Sequence, residues 1–409
     1  MKIERRIPPV WLMGLSNATV GLNAGIVFYV MPQMLAAEHI SEATIATVTA
    51  VAMASNFWTV IFGPMLDVRF SRRWYATAFA GVAAALVIVS IMNPHRLLVL
   101  QPALAFAVAA AILSSTALGG WLANVCPHAE KNKLSAWINI AFISGTGITS
   151  ALGGELVRHL PDWLAACLLG SIVFLPTVIF LVIPAPGPDR RLAAESFRQF
   201  SSEVLALLRR REMLIVLLLF LSPCGSFALT NLLGGLGNDF HASSRVVSLA
   251  GGAGIFFAGI LGCLLFPMIA KQMPLRLLYL ANGSAGALFT LCLIILPRAP
   301  WTFALALVGL FLFQAMAYAI QVGIMFEVIG ENNPLAATTF TFLVAATFVP
   351  VAYMIVVDGK GYSASGIAGG LAIDAALSIT ACILLGVFLA RLPGNACSAG
   401  VPQVELIND

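Results

Sequence analysis

The feature that most constrains this chain is a succession of apolar stretches, each near the length that crosses a bilayer. About 20 residues of helix span the hydrocarbon layer. Twelve stretches of that order lie at approximately 10–35, 43–66, 74–92, 97–123, 135–156, 163–183, 213–235, 244–270, 276–297, 301–328, 335–357 and 365–390. Runs such as Met213–Leu221 and Ala304–Phe313 do not alternate polar with apolar, as the strands of a membrane barrel would. In lipid a helix satisfies its own backbone, so each stretch is predicted to be helical. The composition agrees: 60% hydrophobic, 10% charged and a mean hydropathy of +0.96. Soluble chains carry about a quarter charged residues, so a soluble enzyme, a nucleic-acid binder and a disordered chain are excluded. The expected fold class is an all-α membrane protein with twelve transmembrane helices.

Placement of the basic residues sets the orientation. With the amino terminus in the cytoplasm, 17 of the 22 Lys and Arg fall inside, leaving Arg96, Arg158, Arg245, Arg298 and Lys360 outside. Both termini are therefore expected in the cytoplasm. The first span is too long for a signal peptide and has no clear A-x-A cleavage site before the next span. The longest polar stretch, Pro184–Glu212, divides the spans six and six and carries an expected surface helix at about 192–208. The expected domains are a first six-helix bundle (1–185), a cytoplasmic linker (186–212), a second bundle (213–391) and a cytoplasmic tail (392–409). Seven cysteines form no C-x-x-C pair and read as small buried residues, so no metal site is expected.

An offset of 203 aligns Pro64-Met65-Leu66 with Pro267-Met268-Ile269, and Arg73 with Arg276. Both segments end an even-numbered span and enter a short basic loop, which reads as a duplicated six-span unit. The loop after span two holds Gly63, Asp67, Arg69, Arg72 and Arg73. It is similar to the G-x-x-x-D-R-x-G-R-R motif of the major facilitator superfamily, with Val68 where Arg is usual and no second Gly. The loop Pro127–Lys133 resembles that superfamily's P-x-x-x-R/K loop. The segment from Ser16 to Asp67, including Trp58 and the run Gly63–Asp67, and the stretch from Asn333 to Gly359 also resemble the muropeptide permease and acetyl-CoA transporter branch. That branch's acidic pair in span four is absent, so the likeness speaks to relatedness and not to cargo.

The resemblance implies two six-helix halves that rock about a central site. It also implies a latch, in which Asp67 faces the start of span eleven, where Asn333 is the cap candidate and Pro334 the expected first helical residue. Spans one, two, four, five, seven, eight, ten and eleven would line the cavity. On them Ser16, Thr19 and Asn23 share one face, and Gln314, Tyr318 and Gln321 form a stripe. Asn56, Asn139, Asn231 and Thr347 are further polar candidates, against the alternative that single Asn residues tie helices together. Gly14, Asn17, Gly21 and Gly25 form a face suited to close packing.

Ionisable residues inside spans are functional suspects. Asp374 and Glu327 are the candidates for proton coupling. No Lys or Arg lies deep in the cavity spans, which disfavours small anions and favours a neutral, zwitterionic or large amphipathic solute. The expected function is a secondary active transporter of a small or medium organic solute, proton-coupled with symport as the expected mode. It is expected to be monomeric, to take no cofactor, and to sit in the plasma membrane, a bacterial inner membrane first. Two alternatives stay open: a membrane-embedded transferase, for which the five histidines offer no matching carboxylate cluster, and a non-transporting sensor. No P-loop is present, so nucleotide hydrolysis by such a loop is not expected.

Overall fold

The computed structural model describes residues 7–68, 70–184, 197–233, 236–330 and 333–391, and leaves aside the side chains of 42–43, 197–201, 203, 231–232, 244 and 248. Arg69, the first part of the linker and the 392–409 tail therefore lie outside the described residues, as does the side chain of Asn231. The described chain is a helical bundle with twelve crossings. Spans one to six are Val10–Ala37, Thr44–Asp67, Arg72–Ile91, Leu97–Val125, His128–His159 and Asp162–Leu181. Spans eight to ten are Arg245–Ile269, Leu275–Ile295 and Pro300–Ile329. Spans eleven and twelve form one continuous stretch, Ala336–Ala390, folded back on itself at Ser365 and Gly366. Gly366 takes φ 63°, a left-handed conformation that a side chain would strain.

Span seven departs from the expected single helix at 213–235. It is broken into Arg211–Leu221, a short turn at Pro223–Gly225, and Leu229–Leu233. Pro223 has no N–H to continue the helix and forces Ser222 into an extended conformation. Proline reshapes other spans too. Pro32 follows a π-turn at Ile26–Val30 in span one, and Pro64 sits in a tight 3-10 stretch, Thr59–Asp67, that ends span two. The linker helix is described over Phe197–Arg209, with 192–196 of the expected helix outside the described residues, and span seven begins at Arg211, two residues before the expected bundle boundary.

Large apolar side chains such as Leu98, Ile295 and Ile61 face outwards, as they must in lipid. Inside, helix association depends on close packing, because hydrocarbon tails offer no hydrophobic gain over another helix. Spans one and five meet where Gly14 abuts Trp137, Gly21 abuts the Phe142 carbonyl and Gly25 abuts Thr146 and Thr149. Thr146 and Thr149 donate to the Gly21 and Leu22 carbonyls at 3.1 and 3.0 Å. The expected packing face is therefore real for the three glycines, while Asn17 turns to span four and accepts from Ser115 at 2.7 Å. Between the halves, span eleven packs on spans two and four, and span five packs on spans eight and ten. The apolar reading ended span eleven at 357, but the helix runs on, because Asp358 is buried and the chain does not turn until Ser365.

Candidate functional site: a latch between the halves and a polar stripe

At the end of the bundle that carries the basic loops, Asp67 reaches across from span two to span eleven. Its side chain is 0% exposed. One oxygen accepts the Ala337 N–H at 3.1 Å; the other accepts the Thr338 N–H and the Thr338 hydroxyl, both at 2.7 Å. The first N–H groups of a helix have no intrahelical acceptor, so Asp67 caps span eleven from the other half of the molecule. The expected cap, Asn333, does something else. Its side chain accepts from the Leu335 N–H at 2.9 Å and donates to the Ile329 carbonyl at 3.0 Å, which shapes the turn between spans ten and eleven. Pro334 likewise lies in that turn, and the helix starts at Ala336.

Arg72 binds both sides of the joint. It pairs with Asp67 at 2.7 Å and donates to the Asn333 and Pro334 carbonyls at 3.2 and 2.7 Å. Gly63 is the point of contact itself: a Cβ there would meet the Thr341 side chain at 3.0–3.2 Å. Arg73 starts span three beside them, its carbonyl accepting from Thr77 at 2.9 Å. Span four adds Gly120, where a Cβ would lie 2.6 Å from the Ala337 nitrogen, and Asn124, which donates to the Asn333 carbonyl at 3.4 Å.

A second joint links spans five and ten. Lys131 donates to the Phe326 and Gly330 carbonyls at 3.3 and 3.1 Å, placing an ammonium on the C-terminal end of span ten. Deeper in, Ser135 donates to the Ala319 carbonyl at 3.0 Å and Asn139 to the Tyr318 carbonyl at 3.4 Å. Glu327 lies within Coulombic reach of Arg276 and Lys131, as its position opposing the helix dipole requires.

The stripe on span ten is brought together. Gln314 donates to the Tyr318 hydroxyl at 3.1 Å and accepts from Thr230 of the broken span seven at 3.3 Å. Gln321 donates to the Tyr279 hydroxyl at 3.2 Å. Asn282, on span nine, donates to the Phe313 carbonyl at 3.0 Å. The span-one trio is buried as well. Ser16 donates to the Met13 carbonyl of its own helix and is buried. Thr19 and Asn23 are 3% and 1% exposed, with the Thr19 hydroxyl and Asn23 amide nitrogen unpartnered. Gln314 and Gln321 of the stripe are buried to a similar degree, at 5% and 3%. Asn56 donates to the Met53 carbonyl of its own helix at 2.8 Å, and Thr347 to the Val344 carbonyl at 2.7 Å.

Sequence reading missed Asp358. It is 0% exposed, with both oxygens unpartnered, and Asp374 is 6% exposed with one oxygen unpartnered. The signal was a carboxylate in an otherwise apolar stretch, hidden by ending span eleven one residue early. Cys167 and Cys292 are exposed on the bundle surface, unlike the other described cysteines, which are buried as expected.

Two halves of membrane-length apolar helices, joined at one end by a carboxylate on a helix terminus, suit a membrane transporter. The chain belongs to the Major Facilitator Superfamily, whose family model matches residues 13–340. Its fold resembles that of the human organic anion transporter MFSD10, with a TM-score of 0.69 and 17% identity over 94% of this chain and 100% of that one. It also resembles FucP in the outward conformation, with a TM-score of 0.70 and 16% identity over 94% and 99% of the two chains. The proton:xylose symporter XylE bound to 6-bromo-6-deoxy-D-glucose matches with a TM-score of 0.64 and 16% identity over 93% and 94%. No curated protein matches this chain in sequence.

Proposed function

We propose that this protein is a proton-coupled secondary transporter that moves a small or medium organic solute by alternating access. The observation that carries the reading is the trans cap: Asp67 of the first half satisfies the start of span eleven in the second. A contact of that kind exists only while the halves are closed at the basic end, so it biases the molecule toward one of two states. With the basic end in the cytoplasm, the contact is one that closes the inside, and the state it favours is the outward-facing one. Both termini are then cytoplasmic, and the protein works as a monomer in a bacterial plasma membrane.

The solute site is centred on Gln314, Tyr318 and Gln321, with Asn139 and Thr230 beside them and Asn231 on the same broken span. These groups offer uncharged donors and acceptors, which suits a neutral or zwitterionic solute. XylE, of like fold, is a proton:xylose symporter. Asp374 and Glu327 are the proposed proton-coupling carboxylates. The test uses proteoliposomes under an imposed pH gradient, with solutes first chosen by a thermal-shift screen of cell-wall fragments, short peptides, siderophores, sugars and drugs. Gradient-driven accumulation of a stabilising solute supports the reading. Wild type that equilibrates the solute but ignores the gradient would make it a facilitator.

A further inference from the structure

Asp358 and Asp374 lie in the hairpin of spans eleven and twelve, away from the latch and from the polar stripe. The turn at Ser365 and Gly366 makes the two helices antiparallel. Asp358 lies about two turns before that turn and Asp374 about two turns after it, which puts them at one depth. The helices touch where Gly361 abuts Gly369, and a Cβ on Gly370 would come within 3.5 Å of the Asp358 carbonyl. Small residues at this crossing let the backbones approach, and the carboxylates one turn further in come within Coulombic reach of each other. Both are more than nine-tenths buried, and three of their four oxygens have no hydrogen-bond partner.

Such an arrangement needs something more. A buried carboxylate oxygen without a partner loses its full solvation, and a buried charge without a counter-ion costs far more. Two such carboxylates in one dry site cannot both remain ionised. The neighbours do not supply a counter-charge. Asp374 is the charged group within Coulombic reach of Asp358. From the span-seven side come Asp239, an acid already accepting from Tyr362 at 2.8 Å, and His241 in the exposed turn after it. Arg298 stands over the Phe240 ring at 5.8 Å, and Lys360 is exposed. Further along the hairpin are Tyr353, which donates to the Leu221 carbonyl at 3.0 Å, and buried Cys382 beside Cys224; Cys292 of span nine is exposed.

We propose that Asp358 and Asp374 form a single proton-binding site, in which one proton bridges an oxygen of each and the pair keeps one negative charge. A divalent cation fits less well, because it would take about six oxygen ligands where three unpartnered side-chain oxygens are found. The role in coupling rests on the proton-driven reading above; the site itself does not.

The test uses the full-length protein in lipid nanodiscs with isotope-labelled aspartate. Infrared spectra of wild type at neutral pH should show the C=O stretch of a protonated aspartic acid, sensitive to heavy water. The band should move in Asp358→Asn and in Asp374→Asn, and vanish when both are replaced. Wild type without the band, or a band that survives the double replacement, overturns the proposal. Melting temperature against pH gives a second reading. Wild type should lose stability on the alkaline side relative to both single variants, whose profiles should coincide. Parallel profiles, or stabilisation of wild type by sodium but not by choline, also overturn it. In proteoliposomes the two failures separate. A wild type with the band that ignores a pH gradient sinks the coupling and leaves the site. A wild type that responds to the gradient without the band sinks the site and leaves the coupling.

Discussion

Replacing Asp67 by Asn keeps the shape of the side chain and removes its charge. The carboxylate takes two backbone N–H groups and the Thr338 hydroxyl and pairs with Arg72. An amide keeps one acceptor oxygen and turns an NH2 toward donors that need acceptors. Losing a helix cap costs about 1 kcal/mol, and a hydrogen bond to a charged group is worth about 1.5–3 kcal/mol. The pair with Arg72 lies within the first half and persists in both states, so only the bonds to span eleven count toward the gate, about 3 kcal/mol together. At tenfold per 1.4 kcal/mol, that moves the balance between closed and open basic ends roughly a hundredfold toward open. Hydrogen exchange in nanodiscs reads this directly. Ala337 and Thr338 stand at the start of a helix, so their amides depend on Asp67 for protection. The peptide covering 336–341 should exchange roughly a hundredfold faster in Asp67→Asn, with melting temperature little changed. Unchanged exchange in a folded variant would refute the latch, because those amides would then be protected by something other than the carboxylate.

Other substitutions probe the joint and the stripe separately. Gly120→Ala places a methyl 2.6 Å from the Ala337 nitrogen and should open the same end without replacing a polar side chain, read by the same exchange measurement. Gly14→Ala sits in a seam within one half and should instead lower the melting temperature while leaving that exchange alone. Lys131→Met removes the ammonium from the end of span ten and should loosen the gate by about 1–2 kcal/mol, additive with Asp67→Asn within error. Gln314→Ala removes the donor to the Tyr318 hydroxyl and leaves Thr230 only its bond to the Phe227 carbonyl, so it should cost about 1 kcal/mol of stability and weaken solute-induced stabilisation. A stability loss of several kcal/mol with solute binding intact would make the stripe a packing feature.

The crossings were legible because lipid imposes one period and one length on them. What hydropathy does not read is where a helix breaks or continues. Pro223 breaks span seven inside an apolar run, and Asp358 continues span eleven beyond one. The latch was readable as Asp67 opposite the start of span eleven, because a carboxylate and a helix terminus suit each other. Its geometry was not. The sequence placed the cap locally, on Asn333, whereas the cap comes from 270 residues away. The span-one trio shows a related limit. Spacing shows that Ser16, Thr19 and Asn23 share a face but not which neighbour that face meets, and all three are buried.

The two joints at the basic end are built with opposite signs and from one side. At the repeat offset, the counterpart of Asp67 is Ala270, and Ala337 and Thr338 correspond to Leu134 and Ser135, so the latch has no acidic copy in the second half. The second crossing uses Lys131 on carbonyls at the C-terminal end of span ten, where the first uses Asp67 on N–H groups at the N-terminal end of span eleven. Each charge meets the helix end that the peptide dipoles favour for it. Both charges belong to the first half, and in these bonds the second half offers backbone ends and one hydroxyl. Backbone groups at a helix end are solvated by water as soon as the gap opens. Asp67 retains Arg72, five residues along its own half, when span eleven departs. Opening therefore exchanges protein hydrogen bonds for water without stranding a buried ion. A latch made of facing charges from both halves would leave two unpaired charges on opening, at a cost of several kcal/mol. A gate that must open and close in every cycle is better served by the arrangement seen here, which holds the closed state by a few kcal/mol and releases it without an ionic penalty.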